Sequence, residues 1–64
     1  MAYRYYLTQR PPSIGTHPKE NVLNVEAFDF KERVEEIGRN ALGCVEYSEP
    51  LTAQQVDNYE LTAA

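Results

Sequence analysis

The chain carries one cysteine, Cys44, and one histidine, His17. That constrains the fold more than any other feature, because the chain has only 64 residues. A chain of this size buries about 60% of the surface its unfolded form exposes, and its core rarely supplies more than ~3–5 kcal/mol. Natural domains this small usually add disulfides, a metal or a partner subunit. One cysteine closes no intramolecular disulfide. One Cys with one His falls short of the four ligands of a structural zinc site. Self-association or unusually efficient packing remains, and a homo-oligomer is the expectation.

The aromatic surface has to come from tyrosine, since the chain holds five tyrosines, two phenylalanines and no tryptophan. The formal net charge of −4 argues against general binding to nucleic acid or to membrane phosphates, which needs a basic surface. No stretch approaches the ~20 apolar residues of a membrane span. The start, Met1-Ala2-Tyr3-Arg4, lacks the apolar run of a secretory signal, and a lone cysteine fits a reducing cytoplasm. With no repeats and no linker, residues 1–64 read as one small domain.

Tyr3 to Thr8 reads as a strand without breakers. Tyr3, Tyr5 and Leu7 share one face, suited to a core; Arg4, Tyr6 and Thr8 share the other, suited to solvent or a ligand. Gln9 to Asn21 reads as a loop, held extended by Pro11 and Pro12 and by Pro18, which keeps His17 out of the helical region. Val22 to Phe28 reads as a second strand with Leu23, Val25 and Ala27 on its apolar face.

Residues 29–40 are ambiguous. Phe30, Val34, Ile37 and Ala41 have the spacing of one helix face. Asp29 is placed to cap such a helix, and Glu35 with Arg39 makes an i,i+4 pair. The β-branched Val34 and Ile37 and the interruption at Gly38 argue against it. Gly43 to Ser48 reads as a third strand. Thr52 and Gln55 have the spacing of a capping box, with Leu51 and Val56 at the positions of a hydrophobic staple. A short helix is therefore expected from Ala53 to about Tyr59. Glu60 to Thr62 either adds an edge strand or ends the chain. The expected fold is α+β: an antiparallel sheet of about three strands and one short C-terminal helix. Its sheet buries Tyr5, Leu7, Leu23, Val25, Val45 and Tyr47 against Leu51, Val56 and Tyr59.

The runs Tyr5-Tyr6-Leu7-Thr8-Gln9-Arg10-Pro11-Pro12, Val34-Glu35-Glu36-Ile37-Gly38-Arg39, Val45-Glu46-Tyr47, Pro50-Leu51-Thr52 and Tyr59-Glu60-Leu61 carry a resemblance over nearly the whole chain. Together they resemble a group of small uncharacterised proteins from bacterial mobile elements and phages. The resemblance transfers no activity and no site residue. It implies a protein that acts stoichiometrically, by binding and blocking host factors or host signal molecules.

No catalytic constellation is legible, and the chain is expected not to be an enzyme and to need no cofactor. His17 sits in a Pro-flanked loop with no carboxylate close in sequence, and reads as a surface histidine. Cys44 lacks a base or a positive neighbourhood, and reads as a small strand residue. There is no phosphate-binding glycine motif. Glu32 and Glu36 are four apart, but Lys31, Arg33 and Arg39 make them part of a solvated charged face.

The row Arg4, Tyr6, Thr8, Arg10 is the candidate ligand-binding site. If the first strand stays extended to Arg10, all four point the same way. Two guanidiniums fork phosphate oxygens and a phenol stacks on a base. The default reading of such a row is an ordinary solvent face of a sheet. Two functions follow. One is sequestration of a small anionic, nucleotide-type immune signal as a counter-defence. The other is a protein–protein inhibitor or accessory protein that docks by a tyrosine-rich face or a sheet edge.

Overall fold

The structure, a computed structural model, describes residues 2–64. The elements are β1 (Tyr3–Leu7), β2 (Val22–Val34), β3 (Arg39–Tyr47), α1 (Ala53–Asn58) and β4 (Leu61–Ala63). The strands form one antiparallel sheet in the order β2-β3-β1-β4. The α+β expectation stands, but the sheet has four strands and not three. Glu60 adopts a left-handed backbone with φ 56°, which turns the chain out of α1, and Leu61 then pairs with Leu7.

The helix is set by its own sequence. The Thr52 hydroxyl accepts from the Gln55 amide at 3.1 Å, and the Gln55 side chain accepts from the Thr52 amide at 3.0 Å. Both halves of the capping box are therefore made. Leu51 and Val56, the two ends of the staple, are partly buried against the same core.

The helical alternative over residues 29–40 is not realised. β2 runs on past Phe28 to Val34, and a tight turn leads into β3 at Arg39. The Gly38 amide donates to Val34 O at 2.9 Å, and Gly38 has φ +68°. That backbone favours glycine, so the residue that would interrupt a helix closes a hairpin instead. Glu35 pairs with Arg33 at 3.5 Å rather than with Arg39.

One face of the sheet carries the main core: Tyr5, Leu7, Val45, Tyr47 and Leu61, with Val22, Leu51, Val56 and Tyr59 packed against it. The Tyr5 and Tyr47 rings meet edge to face, 5.8 Å apart. Their hydroxyls reach outward: Tyr47 donates to Pro18 O at 2.6 Å, and Tyr5 accepts from the Leu51 amide at 2.9 Å. Tyr3, at the start of β1, is exposed.

Two residues expected in this core are not in it, since Leu23 is 58% exposed and Val25 44%. β2 is the outer strand, and α1 packs against β4 at the opposite edge. Pairing also slips at Leu23, because Val22 faces Tyr47 while Asn24 faces Glu46. The extra residue shifts the alternation by one position.

The other face carries a second, smaller core of Tyr6, Ala41 and Cys44, with Phe28, Val34 and Ile37 packed against it. Val34, Ile37 and Ala41 thus converge around a turn, and not on the helix face that their spacing with Phe30 suggested. Phe30 is left 81% exposed. The proline segment crosses β3 at Gly43, where a Cβ would strike the Pro12 ring and the Glu26 carbonyl.

Candidate functional site

The strand that was to carry the row of four stops early. β1 ends at Leu7, and Thr8 and Arg10 follow in a bend. The expectation of one extended row therefore fails, because Pro11 and Pro12 lead the chain across the sheet at Gly43. Thr8 is half-buried. Arg10 is exposed and forms an ion pair with Glu60. Only Arg4 and Tyr6 come together.

Tyr6 does not face solvent; it is buried in the second core. Its hydroxyl donates to Glu36 Oε1 at 2.9 Å and accepts from Arg4 Nη1 at 3.5 Å. Arg4 Nη2 binds Glu46 Oε2 at 3.0 Å, with Nε at 3.4 Å from the same oxygen, and Nη1 lies 3.8 Å from Glu36. Arg4 faces Glu46 across the β1–β3 ladder, and the hairpin turn delivers Glu36. The Tyr6 hydroxyl and the Glu46 carboxylate hold the Arg4 guanidinium firmly charged. Burial pushes the Tyr6 hydroxyl up, so it stays protonated. Arg4, Glu36 and Glu46 line a hollow of about 390 Å³ beside Tyr3 and Ala64. An anion entering there would meet two carboxylates already on the guanidinium. Glu36 and Glu46 had no local signal in the sequence. Only the long-range register places them.

A second groove, of about 420 Å³, lies between the loop and α1, lined among others by His17, Lys19, Glu49 and Tyr59. His17 Nδ1 lies 3.1 Å from Thr16 Oγ1, and burial pushes its pKa down. Cys44 is free and buried. Burial, and then the charge of Glu26, push its thiol up, which disfavours the nucleophilic thiolate. Glu32 faces Ala41 in the ladder while Glu36 sits in the turn. They share no helix face, and no group of three or more metal-ligating side chains converges among the described residues. No helix among these residues is long and apolar enough to cross a membrane.

The two edges of the sheet differ. β4 offers three residues; β2 offers 13. Along β2 lie Leu23, Val25 and Phe30, three of the five exposed large hydrophobic residues of the described chain. Single exposed apolar residues are ordinary. Three on one edge strand, whose outer side has no neighbour in the sheet, make an edge of the kind that other chains pair with.

The family described as "Defence against restriction A C-terminal" matches the chain over residues 1–64. No curated protein and no solved structure matches it.

Proposed function

Because the chain belongs to the Defence against restriction A C-terminal family, we propose that it serves an anti-defence role for a phage or mobile element as a non-catalytic protein-docking module. It works by occupying a protein surface through the outer edge of β2. The observation that carries this reading is the run of Leu23, Val25 and Phe30, exposed along a 13-residue edge strand. Main-chain hydrogen bonds at such an edge give affinity, and alternate side chains give selectivity.

Sequestration of a small anionic signal is the less favoured reading. It needs Arg4 and Arg10 free, and each is committed to a carboxylate. It also needs the Tyr6 ring for stacking, and that ring is buried.

The test is protection against restriction in cells that express the chain, scored by plating efficiency of unmodified phage. The double variant Leu23→Lys/Val25→Lys should lose protection while keeping its circular dichroism spectrum. Arg4→Ala and Arg10→Ala should keep it. Calorimetry of the purified chain against mono-, di- and cyclic nucleotides should give no binding heat. Nucleotide heat that vanishes with Arg4→Ala, alongside lost protection, would transfer the function to the guanidinium network.

A further inference from the structure

β2 is too long to lie straight in this molecule. A strand of 13 residues spans about 43 Å when straight, and the longest extent of the molecule is 26 Å. The ladder shows where the strand bends. Pairing between β2 and β3 steps from Ala27–Gly43 to Glu32–Ala41, so Phe28, Asp29, Phe30 and Lys31 lie opposite the single residue Leu42. Extra residues on one strand interrupt the ladder and bend it. Phe30 stands exposed at this bend.

Beyond the bend the hairpin doubles back over the face of the sheet that carries the second core. From Arg39, beside the turn, to Glu46 is about 23 Å along a straight strand. Arg4 nevertheless reaches both ends of that path. Its guanidinium lies 3.0 Å from Glu46 and 3.8 Å from Glu36, which sits in the turn. The arm of residues 32–41 makes the ladder pairs Glu32–Ala41, Arg33–Asn40 and Val34–Arg39. β1 ends opposite Gly43, so no third strand supports them. A two-stranded hairpin alone is marginal in water. The arm is held down by Val34 and Ile37, packed on the core of Tyr6, Ala41 and Cys44, and by the bond from the Tyr6 hydroxyl to Glu36 at 2.9 Å.

We infer that residues 32–41 form a hinged flap, which Glu36 latches shut on Tyr6 and Arg4 and which opens about the Phe28–Lys31 bend without unfolding the main core. The main core lies on the opposite face, and its partners Val22, Leu51, Val56 and Tyr59 all lie outside the arm. Weakly held peripheral units open at lower free energy than the whole domain. Opening uncovers Tyr6 and Cys44 and frees Val34 and Ile37 beside Phe30, an apolar surface that the closed form hides. The inference holds whatever β2 docks with.

Cys44, free and buried in the second core, reports the opening. The experiment is labelling of the purified full chain with an aromatic disulfide reagent at fixed pH over a urea series. The rate should stay flat at low urea and rise only where the whole chain unfolds, because a small opening exposes little surface. Thr52→Ala weakens the whole domain and should leave the low-urea rate within about twofold of wild type. Were global unfolding the only route to the thiol, Thr52→Ala would speed labelling about fivefold. Glu36→Ala and Tyr6→Phe each remove the latch bond, and each should speed labelling about three- to tenfold. Tyr6→Phe alters no charge near the thiol, so its effect reports opening and not a more acidic cysteine. The double variant should fall well short of the product of the two single effects. In wild type, ladder amides of residues 32–41 should exchange with deuterium about tenfold or more faster than those between β1 and β3. Circular dichroism checks that every variant folds, and the wild-type urea series and amide exchange stand without any variant. Labelling that climbs from zero urea, a fivefold effect of Thr52→Ala, or arm amides as slow as those of β1 would each overturn the flap. Glu36→Ala and Tyr6→Phe labelled at the wild-type rate overturn the latch, and the proposal with it.

Discussion

Replacing Gly43 with alanine tests the contact on which the loop depends. The new Cβ would meet Cγ and Cδ of Pro12 and the carbonyl oxygen of Glu26, the last at 2.6 Å. Ordinary contacts between carbon atoms lie near 3.5–4.0 Å, well outside this. Neither neighbour yields easily. The Pro12 ring is stiff, and the Glu26 oxygen belongs to the backbone of β2. Forcing one methyl into such a site costs about 1–3 kcal/mol. Alanine returns roughly 0.5–1 kcal/mol by narrowing the unfolded ensemble and suiting a strand interior. The expected net loss is therefore about 1–2 kcal/mol, against a total of roughly 3–10 kcal/mol for a chain of this length. Urea denaturation followed by far-ultraviolet circular dichroism measures it. With an m-value near 1 kcal/mol/M, the midpoint should fall by about 1–2 M. Pro12→Ala removes both ring atoms that collide but leaves the Glu26 oxygen in place. In the double variant the loss should be smaller than the sum of the single losses by about 0.5 kcal/mol or more. A Gly43→Ala midpoint equal to wild type, or a strictly additive cycle, would refute the close approach of the proline segment to the sheet.

Thr52→Ala removes the hydroxyl that caps α1 and should cost about 1 kcal/mol in the same assay; an unchanged midpoint would show that the helix does not depend on its box. The Tyr47 hydroxyl, buried and beside Tyr59 and Tyr5, is pushed up to about 12, above the ordinary ~10 of the unfolded chain. Its contribution is therefore complete below about pH 10 and is lost as pH rises towards about 12, a decline of roughly 2–3 kcal/mol. Denaturation midpoints across that window check it, with phenolate absorbance to follow ionisation; a flat profile would contradict the burial of this hydroxyl.

Local chemistry was readable in the sequence, and pairing between distant segments was not. Thr52 and Gln55 specify the start of α1 within four residues, and the structure agrees to the residue. The alternation of Tyr5 and Leu7 correctly marked the main core face of β1. Leu23 and Val25 failed because alternation says which residues share a face and not whether anything covers it. At the outer strand nothing does, and the slip at Leu23 breaks the phase besides. Tyr6 failed for the opposite reason. Its face looked polar from Arg4 and Thr8, but the hairpin turn brings Val34, Ile37 and Glu36 over it. That closure could not be foreseen while residues 29–40 were open between helix and strand. The Gly38 turn was the signal. A short connection containing glycine, here Glu35 to Gly38, between two strand-like runs reads as a hairpin.

β1 lies between β3 and β4, and its register joins Tyr3 to Tyr47 on one side and Tyr5 to Ala63 on the other. β1 therefore cannot be fully paired until β4, made after it, is in place. The β2–β3 hairpin can zip by itself as soon as it is synthesised, because its turn closes a short loop. The strand that seats Tyr5 and Leu7 has no complete berth until Leu61 arrives. In the interval the nascent chain displays an unpaired β1 and a free β2 edge together. The charges at Glu26, Asp29, Lys31, Glu32 and Arg33 then act as gatekeepers, which discourage unmatched strands from joining the growing sheet.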